Sequence, residues 1–235
     1  MSKVTELKMY LKSFAVEEKV PLYQGFFKTG KGEYGEGDKF IGVTVPNSRK
    51  VAKKFADLSL SEAAKLLASG IHEERLIALL IIVGQFQKAD EKEREKIYNF
   101  YLKNTKHINN WDLVDLSAGK IVGEYLAKKN KTILYKLAGS KSLWERRIAI
   151  ISTGNFIGKG MFEDTLKISA ILLTDKHDLI HKAVGWMLRE VGKRSEKNLL
   201  GFLKRNYKQM PRTSLRYAIE RLPQNKRLSL LKGEV

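Results

Sequence analysis

The chain has no cysteine and only four prolines in 235 residues. Without thiols there is no disulfide framework and no thiolate metal site, which suits a reducing, cytoplasmic setting. With proline confined to positions 21, 46, 211 and 223, long stretches are free to run as helix. Long apolar runs are also missing. The longest, Leu76 to Val83, falls far short of the roughly 20 residues that span a bilayer and reads as a buried helix. The N-terminus lacks the charged-then-apolar pattern of a secretory leader. His72, His107, His177 and His181 follow no metal-ligand spacing, so neither a metal nor another cofactor is expected. Ser117 and Ser152 have no paired histidine motif, which argues against a hydrolase triad. Gly30, Gly32 and Gly35 formally match G-x-G-x-x-G, but Glu36-Gly37-Asp38 follows where a dinucleotide loop would open a helix.

Positive charge is abundant. The formal net charge is +18 and the pI is near 9.8. Lys193 to Val235 alone carries twelve Lys/Arg against three Asp/Glu, yet the excess runs through the whole chain. This balance points to an anionic polymer, nucleic acid first, bound in a salt-dependent way. A membrane surface is disfavoured, because no basic helix shows an exposed Trp/Phe/Leu face.

From about residue 48 onward apolar residues recur at helical spacing. The breaks are short: Ser69-Gly70, Asn109-Asn110, Gly139-Ser140 and Asp175 to Asp178. Several segments resemble one another. Glu74-Arg75-Leu76-Ile77-Ala78 matches Arg146-Arg147-Ile148-Ala149-Ile150, and both match segments centred on Lys182 and Arg216. Anchors at 75, 147, 182 and 216 are separated by 72, 35 and 34 residues, so one period is skipped and falls near Trp111. A helix pair repeated every ~35 residues predicts an all-α fold, an α-α superhelix of HEAT-like repeats with a concave basic face. One domain, 1–235, is expected, with an N-terminal helix and glycine-rich loop over 1–47 and stacked helix pairs over 48–235. No sustained heptad argues for a dimer, and a monomer is expected.

In this register Asp115 stands four residues after Trp111, and Trp186 four after Lys182, where other repeats place Leu79 and Ile151. A usually aliphatic position occupied by a carboxylate in one repeat and an indole in another predicts a site on the inner face. Arg75, Arg147, Lys182 and Arg216 would form a basic rail beside it.

At these residues the chain resembles the bacterial AlkD-type alkylpurine DNA glycosylases, which are built from HEAT-like repeats. The likeness is carried by Asn-Trp-Asp-Leu-Val-Asp at Asn110 to Asp115, Leu-Trp-x-Arg-Arg-x-Ala-Ile at Leu143 to Ile150, and Lys-Ala-x-Gly-Trp-x-Leu-Arg-Glu at Lys182 to Glu190, within roughly residues 45 to 225. The resemblance implies that Trp111 and Trp186 flank the damaged nucleotide and that Asp115 is the catalytic carboxylate. It implies that Arg147 grips the phosphate backbone at the lesion. The resemblance also implies lesion capture through sugar and backbone, without an enclosing base pocket. On the basic face of the chain, Arg75, Arg146, Lys182, Arg189 and Arg216 are expected as further contacts to double-stranded DNA. Where such glycosylases carry a helical element over the DNA, this chain has five glycines between Gly30 and Gly42, which predict a loop.

The chemistry is consistent with that site. An N3- or N7-alkylated purine is cationic, so its glycosidic bond is weak and its sugar becomes oxocarbenium-like as the base leaves. A carboxylate stabilises such a cation, and the faces of tryptophan attract it. The expected activity is therefore a monofunctional DNA N-glycosylase. The alternative is a catalytically inactive DNA-binding HEAT-repeat homologue recognising bent or branched DNA.

Overall fold

A computed structural model describes residues 1–234 and is all-α, in keeping with the helical-repeat class. The one β-type pairing among the described residues is an isolated bridge between Lys39 and Ile71. The chain divides into two compact units, Met1–Ser117 and Ala118–Val235. Among the described residues no helix is long and apolar enough to cross a membrane.

The first unit opens with α1 (Lys3–Lys12), a 3-10 turn at Glu17–Lys19 and α2 (Val20–Phe26). The N-terminal stretch thus holds two helices where the sequence suggests one. Pro21 does not prevent α2, because it stands in the first turn, where its missing N–H has no helical partner. A loop then leads to α3 (Val45–Lys54), α4 (Leu60–Leu67), α5 (His72–Lys88), α6 (Glu91–Lys103) and α7 (Trp111–Ala118). Helix α4 starts on a capping box, in which Ser59 Oγ accepts the Glu62 N–H and Glu62 accepts the Ser59 N–H. Helix α5 packs against α3, α4 and α6. Twelve of its 17 residues are buried, including the apolar run read from the sequence except for part-buried Leu80.

The glycine-rich loop is ordered by its contacts with the start of α5. The Lys39 N–H donates to Gly70 O at 3.1 Å, and the His72 N–H donates to Lys39 O at 2.8 Å. Gly42 has φ +78°, and a Cβ there would lie 2.0 Å from Val16 O, so this residue must be glycine twice over.

In the second unit a π-helical turn (Gly119–Gly123) leads into α8 (Glu124–Leu126), α9 (Thr132–Ala138), α10 (Leu143–Ser152), α11 (Gly154–Gly158), α12 (Glu163–Leu172), α13 (Asp178–Arg194), α14 (Glu196–Asn206), α15 (Arg212–Ala218) and α16 (Gln224–Lys232). Helix α9 packs on α10, α12 on α13, and α13 on α14 and α15. Helices α10 and α13 begin on side-chain caps, Ser142 and His177. Gly185 explains itself through packing: a Cβ there would come within 2.6 Å of Ser214 O on α15, so only glycine lets α13 and α15 approach this closely.

Candidate active site

The first unit contains a buried charge cluster where the loop meets α5 and α7. Arg75 Nη2 donates to Asp38 Oδ1 at 2.6 Å. The other oxygen of Asp38 accepts from His72 Nδ1 at 3.1 Å and Asn110 Nδ2 at 3.0 Å. His72 Nε2 then reaches Asp112 Oδ2 at 2.8 Å. Burial alone would strip the proton from His72, but the carboxylates of Asp112 and Asp38 outweigh it and raise the pKa to about 9. The imidazolium therefore donates from both nitrogens at neutral pH. Burial would likewise raise Asp38, yet the hydrogen bonds and charges of His72, Arg75 and Asn110 hold it below the usual carboxylate range. Beside this cluster Glu73 accepts the backbone N–H groups of Ile41, Gly42 and Val43 at 2.9–3.2 Å. Burial pushes its carboxyl up in spite of those donors.

Above the cluster lies a cavity of ≈ 740 Å³ formed entirely by first-unit residues. Tyr23, Phe26, Phe27, Phe40 and Trp111 give it aromatic walls, and Asp112, Asp115, His72 and Glu73 supply its charge. Phe27 stacks on Trp111 with centroids 5.4 Å apart and planes 18° from parallel, while Phe26 meets Trp111 edge-on at 5.6 Å. Phe40 stacks on His72 at 4.7 Å, extending the aromatic wall onto a cation.

Helix α7 places Trp111 as its first residue and Asp115 one turn later, and both line the cavity, part-buried. Arg147 and Trp186 belong to the second unit. There Arg147 is buried and donates to Leu179 O at 2.5 Å, bracing α10 against the first turn of α13, while Trp186 is part-buried on α13. Arg146 holds Asp175 at 2.5 Å and also donates to Ser140 O and Lys141 O. Lys182 pairs with Asp178 at 2.7 Å on an open helix face. Arg189 binds Glu220. Arg216 is exposed. Arg75 is 4% exposed and joined to Asp38, so it braces the loop and is not on an open rail.

The helix starts also revise the repeat register. Counted from the first residue of α5, α7, α10, α13 and α15, the fifth position holds Leu76, Asp115, Arg147, Lys182 and Arg216. Arg75 is fourth, and its counterparts are Arg146 and His181. All three bond a carbonyl six residues back: Ser69 O, Ser140 O and Asp175 O respectively. Asp115 thus stands where later repeats carry a cation, and Trp186 lies one turn further along its helix. Matching by the hydrophobic run therefore places the first anchor, Arg75, one residue early and the second, near Trp111, one turn early.

Sequence reasoning missed Phe26, Phe27, Asp38, Asp112 and exposed Arg49 as site components. Asp112 lay inside the motif that drew attention to Asp115. Phe26-Phe27 directly before the glycine-rich segment was the other available signal.

A family model described as "DNA alkylation repair enzyme" matches residues 7–222. Among solved structures, the chain is similar to one described as a predicted DNA alkylation repair enzyme from Enterococcus faecalis. The TM-score is 0.67 at 17% identity, covering 88% of this chain and 96% of that one, which is a likeness of fold. No curated protein sequence matches the chain.

Proposed function

This chain belongs to the DNA alkylation repair enzyme family, and from that membership we propose that it hydrolyses the N-glycosidic bond of N3- or N7-alkylated purines in double-stranded DNA. The observation that carries this reading is that Trp111 and Asp115 sit one helical turn apart on α7 and line one aromatic, acid-bearing cavity.

The cationic base leaves with the electron pair of the C1′–N bond and becomes neutral. The positive charge passes to the sugar, which is oxocarbenium-like at that point. The Asp115 carboxylate stabilises this charge and orients a water. The water oxygen bonds to C1′ and its proton passes to the carboxylate or to solvent. The Trp111 ring contributes its electron-rich face, an effect on the order of 0.5–2 kcal/mol. No step calls for a metal or a covalent lysine adduct. Phosphate contacts fall to cations on open surfaces: Arg49 at the cavity, and Lys182 and Arg216 in the second unit. Arg75, Arg146 and Arg147 serve the fold through the bonds already described.

One observation favours the second reading, a catalytically silent binder of bent or branched DNA. Phe27 already covers a face of Trp111. The deciding experiment is release of N7- and N3-methylpurines from methylated duplex DNA by the protein and by Asp115→Asn. Release that falls about 100-fold or more in the variant supports the glycosylase, by analogy with the loss of one transition-state charge partner. Absence of release with salt-sensitive duplex binding intact supports the silent binder.

A further inference from the structure

We propose that His72 is a positioning residue: clamped between Asp38 and Asp112, its ring sets the first turn of α7 and with it the places of Trp111 and Asp115. This role rests on the glycosylase reading for the chemistry that it serves.

His72 is the first residue of α5, and its side chain is 2% exposed. Its Nδ1 meets Asp38 Oδ2 at 3.1 Å, and its Nε2 meets Asp112 Oδ2 at 2.8 Å. A neutral imidazole donates from only one nitrogen, so both carboxylates are served only by the charged ring. Burial opposes that charge, but the bonds to Asp112 and Asp38 overcome it and raise the pKa to about 9. Phe40 stacks on the ring at 4.7 Å, and Phe27 lies tilted against it at 4.8 Å. Carboxylates at its edge and aromatic rings against it thus fix the plane and direction of the imidazole. The charged groups that face it are Asp38 from the loop, Glu73 and Arg75 from α5, and Asp112 from α7. Asp115 of α7, Arg49 of α3 and Tyr23 of α2 line the cavity beside it.

The loop is held without His72. Arg75 clasps Asp38 at 2.6 Å, and Glu73 gathers three backbone N–H groups. What His72 adds is a bond to α7. Asp112 is the second residue of that helix, and its Oδ1 is buried without a hydrogen-bond partner among the described residues, so the bond at Oδ2 is what directs this carboxylate. On the other side of Trp111, Asn110 reaches the same cluster. Its Nδ2 donates to Asp38 Oδ2 at 3.0 Å, and its Oδ1 accepts the Trp111 N–H at 2.8 Å. Trp111 therefore stands between two residues anchored on the Asp38–His72 pair. A second route runs through rings, because Phe27 touches His72 and stacks on Trp111 at 5.4 Å. Asp115 follows Asp112 by three residues on the same side of the helix, so a first turn that shifts at Asp112 carries Asp115 with it. A misplacement of about 1 Å can lower a rate about 100-fold.

The test uses the full chain with fluorinated tryptophan at its three tryptophan positions, read by fluorine NMR. Two substitutions divide the clamp. His72→Gln keeps a donor where Nε2 meets Asp112, and His72→Asn keeps one where Nδ1 meets Asp38. Both remove the charge. His72→Asn should displace the Trp111 signal further than His72→Gln. It should also release N7-methylguanine in single turnovers at least about tenfold more slowly than His72→Gln, with duplex affinity within about twofold. In the unsubstituted protein the Trp111 signal should titrate with a midpoint near 9, a step absent from His72→Gln. Burial pushes Tyr23 above its ordinary value of 10, outside that step. This titration reads the clamp even where His72→Asn fails to fold. Equal effects of the two substitutions, a loss of release that merely follows duplex affinity, or a Trp111 signal unchanged between pH of about 7 and 10 would each overturn the role. The two readings fail separately. No release by the unsubstituted protein removes the glycosylase, and the fluorine signals still decide whether His72 sets Trp111.

Discussion

The same device appears at the start of α5 in the first unit and of α10 in the second. In each, an arginine donates to a carbonyl six residues back, at 2.9 Å for Arg75 and 3.0 Å for Arg146, and also clasps an aspartate. The difference lies in the aspartate. Asp175 comes from the turn before α13, 29 residues downstream, and Arg146 keeps 19% side-chain exposure. Asp38 comes from a loop 37 residues upstream, and both partners are almost fully buried, at 4% and 3%. The second-unit clasp locks one helix pair to the next. The first-unit clasp has been lengthened through His72 to Asp112 on α7, so a repeat-locking contact has become the floor of a cavity.

Removing the two arginines should break the symmetry most sharply. Arg75→Met leaves Asp38 short of a donor in a dry site and should cost about 3–5 kcal/mol in denaturant unfolding. Arg146→Met should cost only about 1–2 kcal/mol, since water can reach what is left. Equal losses would mean that the extra burial of the first clasp has no energetic weight.

Acidity separates the units next. The pKa of His72 is raised when folded, so its contribution is fully present below about 6.5 and fades as the pH rises through about 9. The amount is roughly 3 kcal/mol. Burial lowers His177, so its contribution is present above about 6.5 and is lost as the pH falls. Hydrogen exchange should therefore show the first turn of α5 loosening in alkali and the first turn of α13 loosening in acid. Loosening of both at the same end of the pH scale would remove the contrast.

The smallest stability effect concerns Lys182. Lys182→Ala should change stability by no more than about 0.5 kcal/mol, because an exposed i,i+4 pair contributes little. Titration of duplex DNA at several salt concentrations should show the slope of log affinity reduced by roughly one.

The helix breaks were legible because they are written locally. Ser69-Gly70 does separate α4 from α5, and Gly139-Ser140 separates α9 from α10. Caps and turn formers act within a few residues, so a sequence displays them. Trp111 and Asp115 were legible as a pair because one helical turn separates them. The partnership of Asp38 with Arg75 was not, since nothing within a few residues of either side chain signals a contact across 37 positions. Phe26 and Phe27 escaped for a related reason. Two aromatics before a glycine-rich stretch carry no periodicity, and their role emerges only once the loop is pinned to α5. The register slip at Arg75 shows the limit of aligning by hydrophobic runs, because Leu76 and Arg147 share a place in their helices but not a chemistry.

The three N–H groups gathered by Glu73 carry a consequence for the order of assembly. The segment from Phe27 to Thr44 contains no helix, and its strongest bonds go to side chains and backbone that α5 presents only after winding. Those bonds can therefore form only once the first turn of α5 is wound. Release of the segment would uncover the face of Trp111 beneath Phe27, and would also part Asp38 from Arg75 and His72 and leave those buried charges without their partner. One short stretch of chain thus both covers Trp111 and keeps the buried charges of α5 paired.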